Sequence, residues 1–351
     1  MFTQTYALPR PRIPGRLLAL LAGPHGVDRY TELVDPMWTT ENRATVVRVQ
    51  RSTPRSVTLW LRPNHPARFR AGQYLNVTVE IDGRRHTRCY SPANAEGVPM
   101  IELTIARHDG RTVSEYLFRS ARPGITLGLS APAGDFVLPE KLPRRLLLIA
   151  GGSGITPVMS MARTLADDDR YDGDVAVVHY VRTLDDACYR RQLRMLPGIR
   201  ALHACTRDTR GDLPGHLDER HLARAMPDPD AVYVCGPTAL VDAVRRHHPT
   251  AVAESFAPAP PVIPDTPGGG RITFSDSGVE AENDGRTLLD QAESAGLRPA
   301  SGCRMGICHT CTRRKVHGAV RNVTTGALST EYDEAVQICV SAPVGDVEIA
   351  L

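Results

Sequence analysis

The sequence predicts a multidomain protein in which an antiparallel β-barrel is followed by an α/β domain with a parallel sheet and by a small α+β domain. Three observations predict this order. Residues 45–130 contain short runs of alternating apolar residues between Gly, Pro and Asp turns, which is typical of antiparallel barrels. From residue 145 the strands are apolar almost throughout and alternate with helix-length segments, as in buried parallel sheets. A proline- and glycine-rich segment, 257–270, then precedes a further unit of strands and one helix.

Length and composition agree with this division. The chain has 351 residues, more than one average domain of about 100 to 200 residues. Apolar residues make up 42% and charged residues 23% of the chain, which excludes gross disorder and fibrous architectures. The formal net charge of +3 lacks the strong basic character of a dedicated nucleic-acid binder. We predict an N-terminal extension 1–40, a barrel 41–142, an α/β domain 143–256, a linker 257–270 and a C-terminal domain 271–351.

The N-terminal extension superficially resembles a signal peptide. Arg10, Arg12 and Arg16 precede four leucines, but the apolar run stops at Gly23 after about six residues, which is shorter than a secretory signal or a membrane span requires. We therefore expect a cytoplasmic protein that is not itself transmembrane. The leucines either pack onto the body of the protein or line a docking surface, and the sequence does not choose between these.

Cysteine spacing indicates an iron–sulfur site near the C-terminus. Four of the eight cysteines form a C-x4-C-x2-C run with one distant partner, namely Cys303, Cys308, Cys311 and Cys339. Three thiolates from one loop and a fourth from a separate strand complete the ligand set of a 2Fe-2S cluster, with the spacing of plant-type ferredoxins. A zinc site or two disulfides are the alternatives, although zinc more naturally shows paired C-x2-C motifs and disulfides need an oxidising compartment.

A glycine-rich turn at residues 151–157 follows the first apolar strand of the α/β domain and opens a helix. Glycines let a backbone approach a pyrophosphate, and a helix N-terminus supplies oriented N–H groups. Cys235, Gly236 and Pro237 close a later strand at the carboxyl edge of the same sheet, where open α/β folds bind ligands. The turn lacks the G-x-G-x-x-G spacing, so an ordinary strand-to-helix turn is the alternative interpretation.

A second short motif lies in the barrel. Arg88 and Tyr90 share one face of a predicted strand because side chains alternate along it, and Ser91 follows at its end. An arginine can pair with a phosphate, an aromatic ring can stack on a flat ligand, and a hydroxyl can hydrogen-bond a ring nitrogen. An ordinary strand is the alternative interpretation of these residues.

Taken together in this order, the motifs R-x-Y-S, GGSGITP, CGP and C-x4-C-x2-C resemble the ferredoxin-NADP reductase superfamily fused to a plant-type ferredoxin domain. The resemblance covers about residues 45–351. It implies a flavin-binding barrel, a nicotinamide-nucleotide domain and a β-grasp 2Fe-2S domain, in the reductase component of a desaturase or oxygenase system. The cluster segment 303–311 and the C-terminal QICVSAPVGDVEI look most like reductases that feed acyl-lipid desaturases.

The resemblance implies FAD rather than FMN as the flavin. It places Arg88 on the flavin phosphates, Tyr90 against the isoalloxazine and Ser91 near the reactive N5. A second flavin contact is implied where a helix begins in the barrel, at Gly110, Val113 and Ser114. Glu254 and Phe256 match an acid and an aromatic that relatives place near the flavin, but here Phe256 is followed by a linker rather than by a chain end.

The resemblance also implies the residues that hold the nicotinamide nucleotide, which are Gly151, Gly152, Gly154, Thr156, Pro157, Cys235 and Gly236. Thr156 and Cys235 would lie beside the nicotinamide ring, and Ser91 and Cys235 are the implied catalytic residues. Thr206 and Arg207 resemble the Ser-Arg pair of NADP-dependent relatives, and Arg182 after the preceding strand adds charge. NADPH is therefore favoured over NADH, because a basic group at the ribose 2′ position suits a phosphate.

The implied function is electron transfer from NADPH through FAD and the 2Fe-2S cluster to a protein acceptor. A flavin is needed because nicotinamide gives two electrons together and a cluster accepts one at a time. The expected acceptor is a membrane-bound fatty acyl desaturase or a related di-iron oxygenase, and the protein would meet a membrane only through it. The alternatives are an NADH-dependent reductase of a Rieske-type or haem monooxygenase, and a non-redox, zinc-stabilised binding protein. We expect a monomer that binds no nucleic acid.

Overall fold

The computed structural model of the chain describes residues 42–81, 84–108, 112–255, 269–302, 304, 306 and 309–351. The predicted N-terminal extension and most of the predicted linker lie outside this part. The described residues form three six-stranded sheets, of which the first is antiparallel, the second parallel and the third mixed. The predicted fold class is thereby confirmed, whereas the exact domain boundaries stay predictions. No helix in the described part is long and apolar enough to cross a membrane.

The first sheet is an antiparallel barrel with one helix packed into it. Its elements are β1 (Arg43–Thr53), β2 (Ser56–Pro63), β3 (Leu75–Ile81), β4 (Arg84–Tyr90), β5 (Ile101–Ala106), α1 (Thr112–Ser120) and β6 (Thr126–Leu129). The strand order is β4-β3-β6-β1-β2-β5. Alternate residues of β2, including Val57, Leu59 and Leu61, point into one apolar core, which Val113 and Leu117 of α1 complete. The chain after β4 returns to β5, where the Ala93 N–H donates to the Glu102 carbonyl at 2.8 Å.

The second sheet is parallel and covered by helices on both faces. Its elements are β7 (Arg145–Gly151), α2 (Ile155–Ala166), β8 (Asp174–Val181), α3 (Arg190–Met195), β9 (Ile199–Cys205), β10 (Leu213–Pro214), α4 (Glu219–Ala225), β11 (Ala231–Gly236), α5 (Thr238–His247) and β12 (Val252–Ser255). Leu146 and Leu148 of β7 face the core under α2 and α3, whereas Leu147 and Ile149 face the core under α4 and α5. Burial on both faces explains why this strand is apolar throughout.

The order of the second sheet, β10-β9-β8-β7-β11-β12, reverses direction between β7 and β11. Ligands of open α/β sheets bind outside the carboxyl ends of the strands at such a switch point. The glycine-rich turn follows β7 and the Cys235–Pro237 segment ends β11, so both predicted motifs meet at this point.

The third sheet is mixed and carries one helix. Its elements are β13 (Arg271–Phe274), β14 (Val279–Glu282), α6 (Leu288–Ser294), β15 (Thr312–Asn322), β16 (Leu328–Ser329), β17 (Glu334–Gln337) and β18 (Ser341–Ala350). Strand β13 runs parallel to β18, and the other pairs are antiparallel. Leu288 and Leu289 of α6 pack against Phe274 and Ile349 in a core that also contains Cys311 and Cys339.

Candidate active site

A cleft of about 580 Å³ lies between the barrel and the carboxyl edge of the parallel sheet. Thr53, Ser56 and Thr104 line it from the barrel side. Several predicted nucleotide-binding residues line it from the sheet side, namely Gly151, Gly152, Thr156, Arg182, Thr206 and Gly236. A concave site at a domain boundary and a topological switch point is the usual place for a cofactor. The structure therefore brings most of the predicted nucleotide residues to one cleft.

Two glycines of the predicted nucleotide site, Gly154 and Gly236, lie where the backbone after β7 packs closely against the end of β11. A Cβ on Gly154 would lie 2.1 Å from the carbonyl oxygen of Cys235, and one on Gly236 would lie 3.0 Å from the Cα of Gly151. Gly152 differs, because it has φ +54° and open space around its Cα. The turn thus packs tightly against β11 and exposes its second glycine to the cleft. Pro157, which was also predicted here, is buried in the first turn of α2.

We expect Gly154→Ala to lower the free energy of unfolding by about 3 kcal/mol or more, at the upper end of overpacking costs, because its methyl group would collide with backbone rather than with a flexible side chain. Gly198→Ala is the matched control, since Gly198 has φ +70° but no atom near the added methyl group. The control should lose only about 1 to 2 kcal/mol through backbone strain. Urea denaturation measures both, and equal losses would contradict the packing role of Gly154.

The predicted flavin residues lie at the end of β4. Ser91 is 2% exposed, and its Oγ has no hydrogen-bond partner among the described residues. A buried hydroxyl without a partner is costly unless a ligand completes it, so Ser91 fits the predicted contact with a flavin ring nitrogen. Tyr90 is half-buried at the end of the strand.

The remaining predicted flavin contacts are only partly described. Val113 directs its side chain into the barrel core, so a flavin contact at this position would come from the backbone. Ser114 is buried at the beginning of α1. Gly110 and Phe256 lie outside the described residues.

Arg88 makes a contact between domains that the sequence did not predict. Its Nη1 donates to the carbonyl oxygen of Gly302 at 2.9 Å and to that of Thr87 at 2.7 Å. Gly302 directly precedes Cys303, the first predicted cluster ligand. The predicted flavin strand and the predicted cluster loop are therefore in direct contact. The assignment of Arg88 to the flavin phosphates stays a prediction.

Cys235 and Glu254 are opposite residues on the neighbouring strands β11 and β12. The Cys235 Sγ donates to Glu254 Oε2 at 3.8 Å, and Cys235 is 0% exposed. Burial, with the nearby carboxylate of Glu254, raises the pKa of the Cys235 thiol well above its usual range, so the thiol is neutral at pH 7. Burial raises the pKa of Glu254 to about 7. Cys235 is thus beside a titrating acid and buried behind the cleft wall, and its contact with nicotinamide stays a prediction.

The raised pKa of Glu254 predicts a pH-dependent stability. The folded protein favours the protonated form of Glu254. The stability of the folded state that depends on this protonation is fully present below about pH 4.5, the pKa of the acid in the unfolded chain, and is lost as the pH rises through about 7. The glutamine of Glu254→Gln cannot ionise, so the variant does not lose this stability as the pH rises. The unfolding free energy of the variant minus that of wild type should therefore be larger at pH 8 than at pH 5, by on the order of 2 kcal/mol. Urea denaturation at both pH values measures this change.

Glu219→Gln is the matched control for Glu254→Gln. Glu219 is exposed in the first turn of α4, so removing its charge should leave the difference in unfolding free energy from wild type nearly the same at pH 5 and pH 8. The prediction is wrong if the Glu254→Gln variant behaves in the same way as this control.

Two of the four predicted cluster ligands are described, and both are buried. Cys311 directly precedes β15, and Cys339 closely follows β17. The two strands pair with each other, and Thr312 lies opposite Gln337 in the ladder. The Ile338 N–H donates to the Cys311 carbonyl at 3.4 Å. The antiparallel ladder therefore brings distant parts of the chain together at one end. Cys303 and Cys308 lie outside the described residues.

Three described residues of the cluster loop have left-handed backbone conformations. Arg304, Gly306 and His309 have φ values of 57°, 74° and 54°. Left-handed residues of this kind occur in turns whose N–H groups bind anions. Gln337 holds the loop, because its Nε2 donates to the Gly306 carbonyl at 2.7 Å. Thiols and backbone both fit a cluster bound by four thiolates.

The predicted 2′-phosphate residues meet at the ends of β8 and β9. The Arg207 N–H donates to the Arg182 carbonyl at 2.8 Å, and the Thr206 N–H donates to the Val181 carbonyl at 3.0 Å. Arg207 is exposed at the rim, whereas Thr206 and Arg182 line the cleft. Within the described part of the chain, the guanidinium groups of Arg182 and Arg207 have no carboxylate partner.

The neighbouring Arg210 differs from these two arginines, because it pairs with Asp185 at 2.8 Å and with Asp208 at 2.7 Å. Its hydrogen bond holds the pKa of Asp208 well below the usual range. The charge of Arg210 is therefore compensated, whereas Arg182 and Arg207 are exposed and Arg182 lines the cleft.

The cleft also contains several basic residues that the sequence did not predict. Arg55, Arg107 and His108 line it from the barrel side, and His216 lines it from the sheet side. All lie in turns or just beyond strand ends, where no periodic pattern singles them out. The sequence indicates them only by their position, because each is a basic residue close to the end of a strand, as Arg182 is. Together they make the cleft suitable for an anionic ligand.

Comparison with known proteins agrees with this site. Three family models match the chain: an oxidoreductase FAD-binding domain over residues 47–138, an oxidoreductase NAD-binding domain over 148–246 and a 2Fe-2S iron-sulfur cluster binding domain over 272–344. The predictions of a flavin, a nicotinamide nucleotide and a 2Fe-2S cluster are thereby confirmed. The last match favours the cluster over the zinc alternative.

Similar proteins extend the agreement to almost the whole chain. An NADPH oxidoreductase of Mycobacterium tuberculosis is 34% identical, and the match covers 94% of this chain and 90% of the relative. A glycine betaine monooxygenase reductase subunit of Pseudomonas aeruginosa is 30% identical over 80% of this chain and 87% of its own length. The structure of phthalate dioxygenase reductase, at 23% identity, superposes with a TM-score of 0.62 over 88% of this chain and 97% of that one.

Fold and site define an oxidoreductase that carries flavin, nicotinamide-nucleotide and 2Fe-2S domains. The chain belongs to the ferredoxin-NADP reductase superfamily, in the branch with a C-terminal plant-type 2Fe-2S ferredoxin domain.

Proposed function

We propose that this protein takes electrons from NADPH and delivers them, through FAD and a 2Fe-2S cluster, to the oxygen-activating component of a desaturase or oxygenase. Bound FAD supplies the chemistry that accepts a two-electron hydride and releases single electrons. One observation carries the proposal, namely the hydrogen bond from Arg88 to Gly302. It joins the predicted flavin strand to the loop of the predicted cluster, while the nucleotide cleft opens between the barrel and the parallel sheet.

The residues of this chain would have distinct tasks in the proposed function. Gly152 and the N-terminus of α2 would bind the dinucleotide phosphates through backbone N–H groups. Ser91 would donate to a flavin ring nitrogen, because its Oγ has no hydrogen-bond partner among the residues that the structure describes. Glu254 would hold or release a proton near neutral pH, since its pKa is about 7. Cys311 and Cys339, with Cys303 and Cys308, would hold the cluster as thiolates.

NADPH is the proposed electron donor. Arg182 and Arg207 offer two guanidinium groups without carboxylate partners in the described part of the chain, next to the hydroxyl of Thr206. A phosphate is recognised by such charge-assisted hydrogen bonds, whereas a ribose diol is usually recognised by a carboxylate. The name of the relative from Mycobacterium tuberculosis, an NADPH oxidoreductase, supports the same choice.

The proposed acceptor is a di-iron desaturase or oxygenase, as the cluster segment suggests, and the protein would approach a membrane only through such an acceptor. A second candidate acceptor is a Rieske-type or haem monooxygenase, to which this protein would transfer electrons from NADH. The relative named as a glycine betaine monooxygenase reductase subunit favours an oxygenase over a desaturase. Product formation by a purified acyl desaturase and by a purified Rieske oxygenase, each with this reductase, distinguishes the two acceptors.

Anaerobic titration of the purified holoprotein with NADPH tests the proposed electron path. The flavin accepts two electrons and the cluster one, so about three electrons per chain should be taken up. Both the flavin and the iron–sulfur absorption should be bleached. A colourless protein that contains zinc, or a flavoprotein in which about two electrons bleach all the colour, would contradict the proposal.

A further inference from the structure

A buried polar network joins the barrel to helix α2 of the α/β domain. Arg163 on α2 is at its centre, because its Nη1 donates to the Ala93 carbonyl at 2.7 Å and pairs with Glu102 Oε2 at 3.1 Å. The Arg163 and Glu102 side chains are only 18% and 11% exposed. The Arg163 guanidinium also lies 5.2 Å from the ring centroid of Tyr189, whose hydroxyl hydrogen-bonds Thr104. Side chains from both domains thus complete one network.

Tyr189 has a strained backbone within this network. Its φ is 60°, a left-handed conformation that is unfavourable for a non-glycine residue. Tyr189 is nevertheless only 7% exposed, because its ring lies near the guanidinium of Arg163 and its hydroxyl hydrogen-bonds Thr104. Thr104 itself lines the cleft. Strained residues persist where the surroundings hold them, and they are concentrated at functional sites.

Helix α2 has one end at the cleft and the other at the segment that follows Ser91. Thr156, in its first turn, lines the cleft. Farther along the helix, Ser160 Oγ donates to the Asn94 carbonyl at 2.7 Å, and Thr164 Oγ1 accepts from the Glu96 N–H at 3.1 Å. An α-helix rises about 1.5 Å per residue and is stiff over this length. It therefore fixes the distance between the nucleotide turn and the segment 93–96.

A buried ion pair is not by itself a favourable way to join two domains. Removing both charges from water costs about as much as their attraction returns, so an apolar pair of similar volume would give comparable stability. The pair instead fixes the position of helix α2 relative to the barrel, because Glu102 and the Ala93 carbonyl hold the Arg163 guanidinium at two points. Arg163 therefore contributes to the positions of the two domains rather than to their stability.

We infer that Arg163 and Glu102 are positioning residues for hydride transfer, which set helix α2 so that the nicotinamide ring at its N-terminal turn meets the flavin ring at Ser91. The inference rests on the proposed function. In the step concerned, one hydride leaves NADPH, which is oxidised to NADP⁺, and FAD is reduced by the same two electrons. Arg163 touches neither ring, and it acts through the backbone of Ala93 and through Tyr189.

The test compares Arg163→Met with Arg163→Lys, Glu102→Gln and the control Arg144→Met. Arg144 forms an exposed pair with Asp172, whose loss should change nothing. In Arg163→Met, we expect the rate constant of flavin reduction at saturating NADPH to fall by about 10- to 100-fold, since a displacement near 1 Å has such an effect. The KM for NADPH and the FAD content should stay within about twofold of wild type, because neither ligand loses a contact. Arg163→Lys should recover part of the rate, because it keeps the charge.

Two further measurements separate positioning from stability. The deuterium isotope effect with C4-deuterated NADPH should increase in Arg163→Met, since hydride transfer then limits the rate. Hydrogen exchange of the Glu96 N–H should be faster, because the bond to Thr164 weakens. If Arg163→Met does not fold, Glu102→Gln and Arg163→Lys carry the same comparison. A rate constant within about twofold of wild type, together with a lower unfolding free energy, would overturn the inference. A wild-type protein that NADPH does not reduce would instead refute the proposed function.

Discussion

The Cys339→Ser variant is expected to lose cytochrome c reduction driven by NADPH by about 100-fold or more, while its ferricyanide reduction stays within about twofold of wild type. A serine oxygen is a poor substitute for a thiolate on iron, so the cluster should be lost or strongly altered. Ferricyanide can take electrons from the flavin, whereas cytochrome c reduction depends on the cluster in the proposed path. Cys339 is buried in the core of the C-terminal domain, and the cleft lies between the other two domains.

Cys89→Ser is the matched control for this experiment. The Cys89 Sγ donates to Asn76 Oδ1 at 3.0 Å, and a serine hydroxyl can donate in its place. We expect both activities and the iron content of this control to equal those of wild type. An equal loss of the ferricyanide and cytochrome c activities in Cys339→Ser would contradict the order of electron transfer from flavin to cluster.

Removal of Arg182 and Arg207, which follow β8 and β9, should change the coenzyme preference. We expect the double substitution Arg182→Ala and Arg207→Ala to raise the KM for NADPH by about 100-fold or more, since each charge-assisted hydrogen bond to phosphate contributes about 1.5 to 3 kcal/mol. The KM for NADH should change by less than about threefold, because NADH has no 2′-phosphate for these groups to contact. Steady-state ferricyanide reduction with each coenzyme measures both constants.

Arg220→Ala is the control for the arginine pair. Arg220 is exposed, pairs with Asp218 at 2.7 Å and does not line the cleft. It removes one positive charge from the same domain, so it reports the general electrostatic effect on an anionic coenzyme. If the double variant raises the KM for NADH as much as the KM for NADPH, the arginines do not recognise the 2′-phosphate.

The fold was predictable from the sequence because its main signals are local. A strand such as β7 is buried on both faces and must be apolar throughout, and Gly154, which closely follows it, is required by contact with β11. Likewise, C-x4-C-x2-C spacing reflects the stereochemistry of one loop. Such signals lie within a few residues of one another, so they can be read before any tertiary contact is known.

The parts of the site that escaped prediction depend on contacts between distant residues. Arg88 was expected on flavin phosphates, but its contact with Gly302 is made 214 positions along the chain and in another domain. Arg163 and Glu102, 61 positions apart, form a pair across a domain interface. The raised pKa of Glu254 likewise depends on burial, which follows from packing rather than from sequence spacing. Periodicity contains no information on such pairs.

In the proposed path, electrons enter at the cleft and leave through the cluster whose loop contacts β4. Anaerobic stopped-flow mixing of the holoprotein with NADPH tests this order. Flavin absorbance and the electron paramagnetic resonance signal of the reduced cluster are followed in time. We predict that flavin reduction precedes the cluster signal, and that protein freed of FAD gives no cluster signal. Reduction of the cluster by NADPH at the wild-type rate in the FAD-free protein would contradict the account.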